Sequence, residues 1–306
     1  MGAAYHRSHL IMSSTGTPPS LRFGLVASRL HRSGEQSGLA AWLRACDAGI
    51  RALGIELHAV GGTAEAIDRL GLLAGYEKRV RYPSGREGGV MRLVSRIAGG
   101  LDAADALDGV IYLIDPVDPT SLYPETLALK RQCVVHGKPF VSTVAGAQEW
   151  IAVELASAGL AVPGMAGDWR SIEAQTVALI AHDALKDRMV EFASRHFELL
   201  SRFALRVGTG TTGGRLNDMA WARGWPADRP WVQRYQSGPL GGDAQIAELV
   251  LEGRCQKAIF FEDPHVARQH EADIQLLERA VCSVTRRTTC FNSPAMAGRW
   301  AAAFSG

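Results

Sequence analysis

This chain of 306 residues lacks several features that would place it in a specialised class of protein. Its five cysteines form no C-x-x-C pair, and an odd, scattered set without an export signal is typical of reduced thiols in a cytosol. Its most apolar stretches, such as residues 110–114, are strand-sized and too short to cross a bilayer. These absences favour a cytoplasmic protein that has no membrane partner.

The chain also has no large excess of positive or negative charge. The formal net charge is +2 and the basic residues are scattered, so nothing favours a nucleic-acid partner. Hydrophobic residues make up 47% of the chain, which is enough for buried cores, and the length suits roughly two domains of about 150 residues. Residues 1–20 are rich in Ser, Gly, Pro and His, and we predict a mobile tail there.

The chain repeats itself. Four segments of the first half recur in the same order in the second half. The pairs are residues 23–27 with 176–181, 58–63 with 206–211, 84–89 with 237–242, and 109–116 with 258–264. This order predicts a duplication, with domains at residues 21–155 and 173–306 and a linker at residues 156–172.

Short apolar runs alternate with segments of helical period in both halves. Residues 245–253, for example, carry apolar side chains at helical spacing and end on a glycine. Alternating strands and helices predict an α/β fold, with a parallel sheet covered by helices on both faces. The sequence therefore predicts two tandem doubly wound, flavodoxin-like domains.

Polar residues follow each apolar run of the second half. In an open parallel sheet such residues meet beyond the carboxyl ends of the strands. The glycine-rich residues 208–213 would let backbone N–H groups approach a phosphate closely, and Lys186 would add a positive charge. The other chemically active side chains of these loops are His182, Asp183, Ser237, Asp243, Asp263, His270 and Asp273.

This set of residues suits an anion that is held beside acid–base groups. The glycine-rich loop is neither a Walker A loop nor a Rossmann fingerprint. The aspartates and histidines exceed what phosphate capture needs, and they suit proton abstraction next to a carbonyl. Each residue alone has a plainer interpretation: Asp243 as a helix N-cap, Lys186 as a solvated helix residue, His270 as a surface histidine. Their joint occurrence at successive strand ends favours the functional interpretation.

Five strings of the second half carry a resemblance to a known family. They are Ala-His-Asp-x-x-Lys (181–186), Thr-Gly-Thr-Thr-Gly (209–213), Ser-Gly-Pro-Leu-Gly-Gly-Asp (237–243), Phe-x-Asp-Pro (261–264) and His-x-x-Asp (270–273). In order and spacing, over about residues 173–300, they resemble the methylglyoxal synthase family. The predicted domains are therefore of the methylglyoxal synthase-like type.

The resemblance implies a lyase that needs no metal or other cofactor and removes phosphate from dihydroxyacetone phosphate. Asp243 would take a proton from carbon, and His182 and His270 would contact the substrate's oxygens. Asp183, Asp263 and Asp273 would hold the carboxylate–histidine network. The substrate-binding residues that it implies are His182, Lys186, Thr209, Gly210, Thr211, Thr212, Ser237 and Gly238. Inorganic phosphate would be a product and an inhibitor. The resemblance also implies a homo-oligomer, in which three two-domain chains would replace a hexamer.

The first half is expected to share the fold without catalysing the reaction. The repeat places Ser28 at the position of His182 and Val90 at that of Asp243, and a valine cannot accept a proton. Residues 21–155 are therefore predicted to be a degenerate domain, either a scaffold or a regulatory phosphate site. For the whole chain two other functions stay open: a phosphometabolite-binding regulatory module of the same fold, and isomerisation of a triose phosphate through a shared enediolate.

Overall fold

The computed structural model of this protein describes residues 21–162, 168–265 and 271–304. The predicted tail, part of the predicted linker, and His270 lie outside these ranges. The described strands are β1 (Arg22–Ala27), β2 (Glu56–Ala59), β3 (Arg79–Arg81), β4 (Gly109–Leu113), β5 (Phe140–Val141), β6 (Thr176–Ala181), β7 (Leu205–Gly208), β8 (Gln233–Arg234), β9 (Lys257–Phe261) and β10 (Thr289–Phe291).

The α-helices lie between these strands along the chain, except the last one, which follows β10. They are α1 (Gly38–Leu53), α2 (Gly61–Arg69), α3 (Gly89–Ile97), α4 (Pro124–Val135), α5 (Val144–Ser157), α6 (Lys186–Arg195), α7 (Phe197–Ser201), α8 (Gly210–Ala222), α9 (Gly242–Leu251), α10 (Glu271–Ser283) and α11 (Pro294–Ala302). Three of them begin at an N-cap side chain that accepts a hydrogen bond from a backbone N–H group. These side chains are Ser37 for α1, Thr143 for α5 and Ser293 for α11.

The described strands form two five-stranded parallel sheets with the same connectivity. The first has the order β3-β2-β1-β4-β5, and the second has the order β8-β7-β6-β9-β10. In each sheet the order reverses between the first and fourth strands of that half. Ligands bind to doubly wound sheets at this reversal, beyond the carboxyl ends of the strands. The prediction of two doubly wound α/β sheets is confirmed.

The structure corrects the pairing of the two repeats at one place. The string comparison pairs Gly61 with Thr209, but α2 begins at Gly61 and α8 begins at Gly210. A Cβ would lie 3.0 Å from the backbone nitrogen of Ser84 if added to Gly61, and 2.9 Å from that of Ser237 if added to Gly210. Since so close a backbone approach requires glycine, these two glycines are equivalent. The alignment of residues 58–63 with 206–211 is therefore shifted by one residue.

A buried hydrogen-bond network around Glu149 joins the two halves. Both carboxylate oxygens of Glu149, on α5, accept from Nζ of Lys257 at 2.7 Å. The Thr289 hydroxyl and the Trp300 indole N–H each donate to the same carboxylate at 2.7 Å. All four residues are at most 6% exposed. Because a buried charge is stable only when it is paired and hydrogen-bonded, this network holds α5 against the second sheet.

One continuous hydrophobic core surrounds this network and extends through both halves. Trp42 and Trp150 of the first half belong to it, as do Phe291 and Trp300 of the second, and each is at most 1% exposed. The apolar surface shared across the junction favours close association of the two sheets.

The structure bears on two expectations that were drawn from composition. All five cysteines are free, and burial raises the pKa of Cys46 and of Cys255 to about 12, which keeps both as unreactive thiols. Among the described helices, none has the length and apolar character that crossing a membrane requires.

Replacing Glu149 by glutamine should destabilise the protein, because the Lys257 ammonium would stay buried without a carboxylate. We expect the free energy of unfolding to fall by about 3 kcal/mol, as found when one partner of a buried ion pair is removed. Urea denaturation of the full chain measures this change. The control variant Glu77→Gln removes an exposed carboxylate and should cost less than about 0.5 kcal/mol. Equal losses in the two variants would contradict the role given to Glu149.

Candidate active site

A cavity of about 240 Å³ lies at the carboxyl edge of the second sheet, where the strand order reverses. The polar residues that line it are His182, Asp183, Lys186, Thr209, Thr211, Ser237, Gly238 and Asp243. Ile180, Ala181, Pro239 and Phe260 complete its wall. The structure thus brings together residues that lie as far as 61 positions apart in the sequence and that we predicted to meet.

His182 follows β6, and the loop after β9 holds its ring. The backbone N–H of Asp263 donates to Nδ1 of His182 at 2.8 Å, so the neutral ring carries its proton on Nε2. The ring also packs edge-on against Phe260, with the ring centroids 4.9 Å apart. One oxygen of the Asp263 carboxylate accepts the N–H of His265 at 3.0 Å, which shapes the same loop. The orientation of the imidazole is therefore set by the protein itself.

Lys186 lies at the first turn of α6 and forms an ion pair with Asp183. Its Nζ is 2.6 Å from Oδ1 of Asp183, and the side chain of Lys186 is 16% exposed whereas that of Asp183 is 83% exposed. Both residues line the cavity, and the carboxylate is the more exposed of the two. An anion in the cavity would meet a positive charge whose position Asp183 already restrains.

The N-terminus of α8 opens into the cavity through Thr209 and Thr211. Thr209 occupies the N-cap position, is 6% exposed and makes no side-chain capping bond. The hydroxyl of Thr212 is buried and has no hydrogen-bond partner among the described residues. Because the first N–H groups of an α-helix have no acceptor within the helix and carry its positive dipole end, this turn suits an anion.

Asp243 lies in the first turn of α9 and is 5% exposed. The N-cap of that helix is Gly241, whose φ of +94° is left-handed, so the plainer interpretation of Asp243 as the N-cap is wrong. A Cβ on Gly238 would lie 2.7 Å from Oδ2 of Asp243. The carboxylate is therefore packed directly against the backbone of the loop that precedes α9, where it faces the cavity.

Lys130, on α4 of the first half, is a residue near the site that sequence reasoning missed. Its Nζ lies 2.9 Å from carboxylate oxygens of both Glu262 and Glu278. Burial would lower the pKa of Lys130, but the two carboxylates outweigh it and hold the pKa above its ordinary value. Nε of Arg131 donates to the carbonyl oxygen of Pro264 at 2.8 Å. The first half thus fixes the loop after β9, through contacts that no local sequence pattern signals.

The other predicted site residues have different positions. Gly210 and Thr212 lie in the first turn of α8, and Asp263 lies in the loop after β9. Asp273 belongs to α10, and its side chain is not described, while His270 lies outside the described residues. Within the described ranges there is no group of three or more His, Cys, Asp or Glu side chains that could hold a metal ion.

The first half has different residues at the equivalent positions. The N–H of Ser28 donates to the carbonyl of Leu113 just as that of His182 donates to Phe261, so Ser28 stands where the second half has a histidine. Val90 is the second residue of α3, as Asp243 is of α9, and it is 7% exposed. The first-half cleft therefore has an apolar side chain at the position of the buried carboxylate.

No protein-family profile matches the chain. A curated methylglyoxal synthase of Thermus thermophilus is 47% identical over 110 residues, which are 36% of this chain and 79% of that protein. The methylglyoxal synthase of Cupriavidus pinatubonensis is 48% identical over 108 residues, 35% of this chain and 75% of that protein.

A crystal structure of the methylglyoxal synthase of Elizabethkingia anophelis NUHP1 is 33% identical in sequence. The match covers 41% of this chain and 76% of that one, with a TM-score of 0.34. The family assignment rests on the sequence identity, which extends over 79% of the Thermus protein. This chain belongs to the methylglyoxal synthase family.

Proposed function

We propose that the second half of this chain eliminates phosphate from dihydroxyacetone phosphate, giving methylglyoxal and inorganic phosphate. The observation that carries the proposal is the placement of a buried carboxylate, Asp243, in the same cavity as Lys186 and the N-terminus of α8. A base and an anion-binding surface in one small cavity are what this elimination requires. The name of the curated relatives supports the same reaction.

The phosphate group of the substrate would bind at the first turn of α8 and the Ser237-Gly238 loop. Backbone N–H groups, the hydroxyls of Thr209, Thr211 and Ser237, and the Lys186 ammonium would surround its oxygens. The volume of about 240 Å³ is below the roughly 300–1,000 Å³ of sites for drug-sized ligands. A triose phosphate is a ligand of suitable size.

Asp243 would remove a proton from the carbon that bears the hydroxyl group, converting the ketone into an enediolate. The Asp243 carboxylate is only 5% exposed, so little water reaches the position at which it would accept the proton. His182, with its proton on Nε2, would donate a hydrogen bond to the developing oxyanion. The enediolate then expels phosphate by breaking its C–O bond, and the remaining enol takes a proton on carbon to give methylglyoxal.

This mechanism uses only groups of the chain, so we propose that it needs neither a metal nor another cofactor. His270 and Asp273 would complete the acid–base set as the family resemblance implies. We further propose that residues 173–306 form the catalytic domain and residues 21–155 a degenerate one. The enzyme would act in the cytoplasm as a homo-oligomer, with three chains supplying six domains.

Asp243→Asn should lower the turnover of dihydroxyacetone phosphate by about a thousand-fold, because the amide cannot accept the proton. The measurement is the formation of methylglyoxal and phosphate, in equal amounts, with and without EDTA. Wild-type protein should be unaffected by EDTA, and Asp218→Asn, which alters an exposed carboxylate of the same half, should keep its activity. Interconversion of triose phosphates without phosphate release would support an isomerase instead. Binding of dihydroxyacetone phosphate without turnover would support a regulatory module.

Inorganic phosphate should compete with the substrate, and Thr211→Val with Ser237→Ala should raise its inhibition constant by about ten-fold or more. Each hydroxyl would donate to a charged oxygen, and such hydrogen bonds are worth about 1.5–3 kcal/mol. Ser84→Ala is the matched control, since Ser84 is the first-half counterpart of Ser237. An inhibition constant that is unchanged in the double variant would place the anion elsewhere.

Gly238→Ala should reduce turnover by about ten-fold or more while leaving the fold stable, because the new methyl group must displace the Asp243 carboxylate. The matched control is Gly85→Ala at the equivalent position of the first half, where an added Cβ meets nothing within 4 Å. Steady-state kinetics and thermal unfolding of both variants provide the comparison. Full activity of Gly238→Ala would contradict a catalytic position for the Asp243 carboxylate.

A further inference from the structure

The first half has its own cleft at the carboxyl edge of its sheet, and this cleft is far larger than the candidate active site. Its volume is about 1120 Å³, compared with about 240 Å³ in the second half. The end of β1, the first turn of α2, the loop before α3 and the segment from β4 to α4 all line it. The cleft has room for a ligand considerably larger than a triose phosphate.

Three arginines face this cleft: Arg29, Arg32 and Arg86. None of them forms an ion pair with a residue in the described part of the chain. Arg29 and Arg86 are exposed, and Arg32 is half-buried. The cleft therefore holds three cationic groups that are available to an anionic ligand.

The carboxylates that line the cleft are mostly engaged with other groups. Glu65 pairs with Nη2 of Arg81 at 2.6 Å, outside the cleft lining. The carboxylates of Asp115 and Asp118 accept backbone N–H groups two residues further along the chain, at 3.1 and 2.9 Å. Glu125 remains as a fourth acidic residue. None of these carboxylates forms an ion pair with Arg29, Arg32 or Arg86 in the described part of the chain, so the three guanidinium groups remain open to a ligand.

Arg32 is placed where a bound anion would relieve an unfavourable contact. A Cβ on Gly62, in the first turn of α2, would collide with the guanidinium of Arg32, so the two groups are in close proximity. A cation at this end of a helix opposes the helix dipole. Nε of Arg32 is buried and has no hydrogen-bond partner among the described residues. An anion beside this guanidinium would bind the buried Nε and offset the positive charge at the helix end.

Ser28 provides a second buried donor in the same cleft. It is 5% exposed and lines the cleft, where its hydroxyl lies beside that of Tyr112, another lining residue. A hydroxyl in this position can also donate to a ligand oxygen. Ser28 and the buried Nε of Arg32 therefore lie on the same segment after β1, beside α2.

The first half does not use its serine loop as the second half is proposed to do. The Glu87 carboxylate accepts the backbone N–H of Ser84 at 3.0 Å and its hydroxyl at 2.8 Å. A carboxylate of the chain thus occupies the anion position of this loop. A ligand anion would bind instead among the three arginines, which makes the first-half cleft a different site and not a weaker copy.

An apolar rim adjoins the arginines. Leu30, Met91, Val117 and Tyr123 line the cleft, yet each is between 49% and 69% exposed. Large apolar side chains that gather at one exposed cleft are typical of a ligand-binding surface. They would contact an organic group attached to the anion.

We propose that this cleft is a second ligand site, which binds a phosphorylated small molecule that has an apolar part. The arginines, Ser28 and the N-terminus of α2 hold the phosphate, and the apolar rim holds the organic part. The ligand is bound without elimination of its phosphate, because Val90 occupies the position of the base. The proposal does not depend on the activity of the second half.

The test is a calorimetric titration of the full chain with phenyl phosphate, which joins a phosphate to an apolar ring. We expect the wild-type chain to bind phenyl phosphate. The double variant Arg29→Gln/Arg86→Gln should lower the affinity by about ten-fold or more, since two charged contacts are lost. Arg92→Gln, which removes an exposed arginine of the same half outside the cleft, should leave the affinity within about two-fold of wild type. Both substitutions are on the surface, and thermal unfolding verifies that each variant is folded.

The same titration on Lys186→Gln separates this cleft from the candidate active site. Binding that persists in Lys186→Gln and weakens in the double arginine variant supports the proposal. No binding of phenyl phosphate, or binding lost in Lys186→Gln but kept in the arginine variant, overturns it. Equal weakening by Arg92→Gln, or equally tight binding of phenol, also overturns it, because the cleft would then not recognise the phosphate.

Discussion

The buried carboxylate of Glu149 is the constraint on which the arrangement of the two halves depends. It lies on α5 of the first half, and its hydrogen-bond donors lie on β9, β10 and α11 of the second. Removing water from a carboxylate and an ammonium is costly, and only complete pairing offsets that cost. The network therefore tolerates little displacement, and it sets where the second sheet lies relative to the first.

The same constraint extends to the candidate active site through β9. Glu149 holds Lys257 at the start of this strand, and Lys130 and Arg131 hold Glu262 and the next loop residues just after its end. Residues of the first half thus form ion pairs or hydrogen bonds at the start of β9 and just after its end. That loop in turn presents the N–H that orients the imidazole at the end of β6. The geometry of the second-half cavity consequently depends on packing against the first half, whose own cleft has Val90 at the position of Asp243.

Helix α4 connects the two clefts in space. Its first residues, Glu125 and Thr126, line the large cleft of the first half. Its later residues, Lys130 and Arg131, hold the loop beside the cavity of the second half. The two halves thus share one strand order and one continuous core but have unlike clefts. One has a buried carboxylate and little volume, and the other has three arginines and a large volume.

The sequence by itself determined the strands, the helices and the loops that carry polar chemistry. The apolar repeated segment at residues 176–181 coincides with β6 (Thr176–Ala181), because a run of apolar residues is a local property of the chain. The convergence of His182, Lys186 and Asp243 was also predictable, since parallel strands place their carboxyl ends on one edge. Only the tertiary structure revealed that Gly61 is equivalent to Gly210 and that Lys130 forms an ion pair with Glu262. Those depend on close approaches between segments that are distant along the chain, and no local pattern of residue types encodes such a distance.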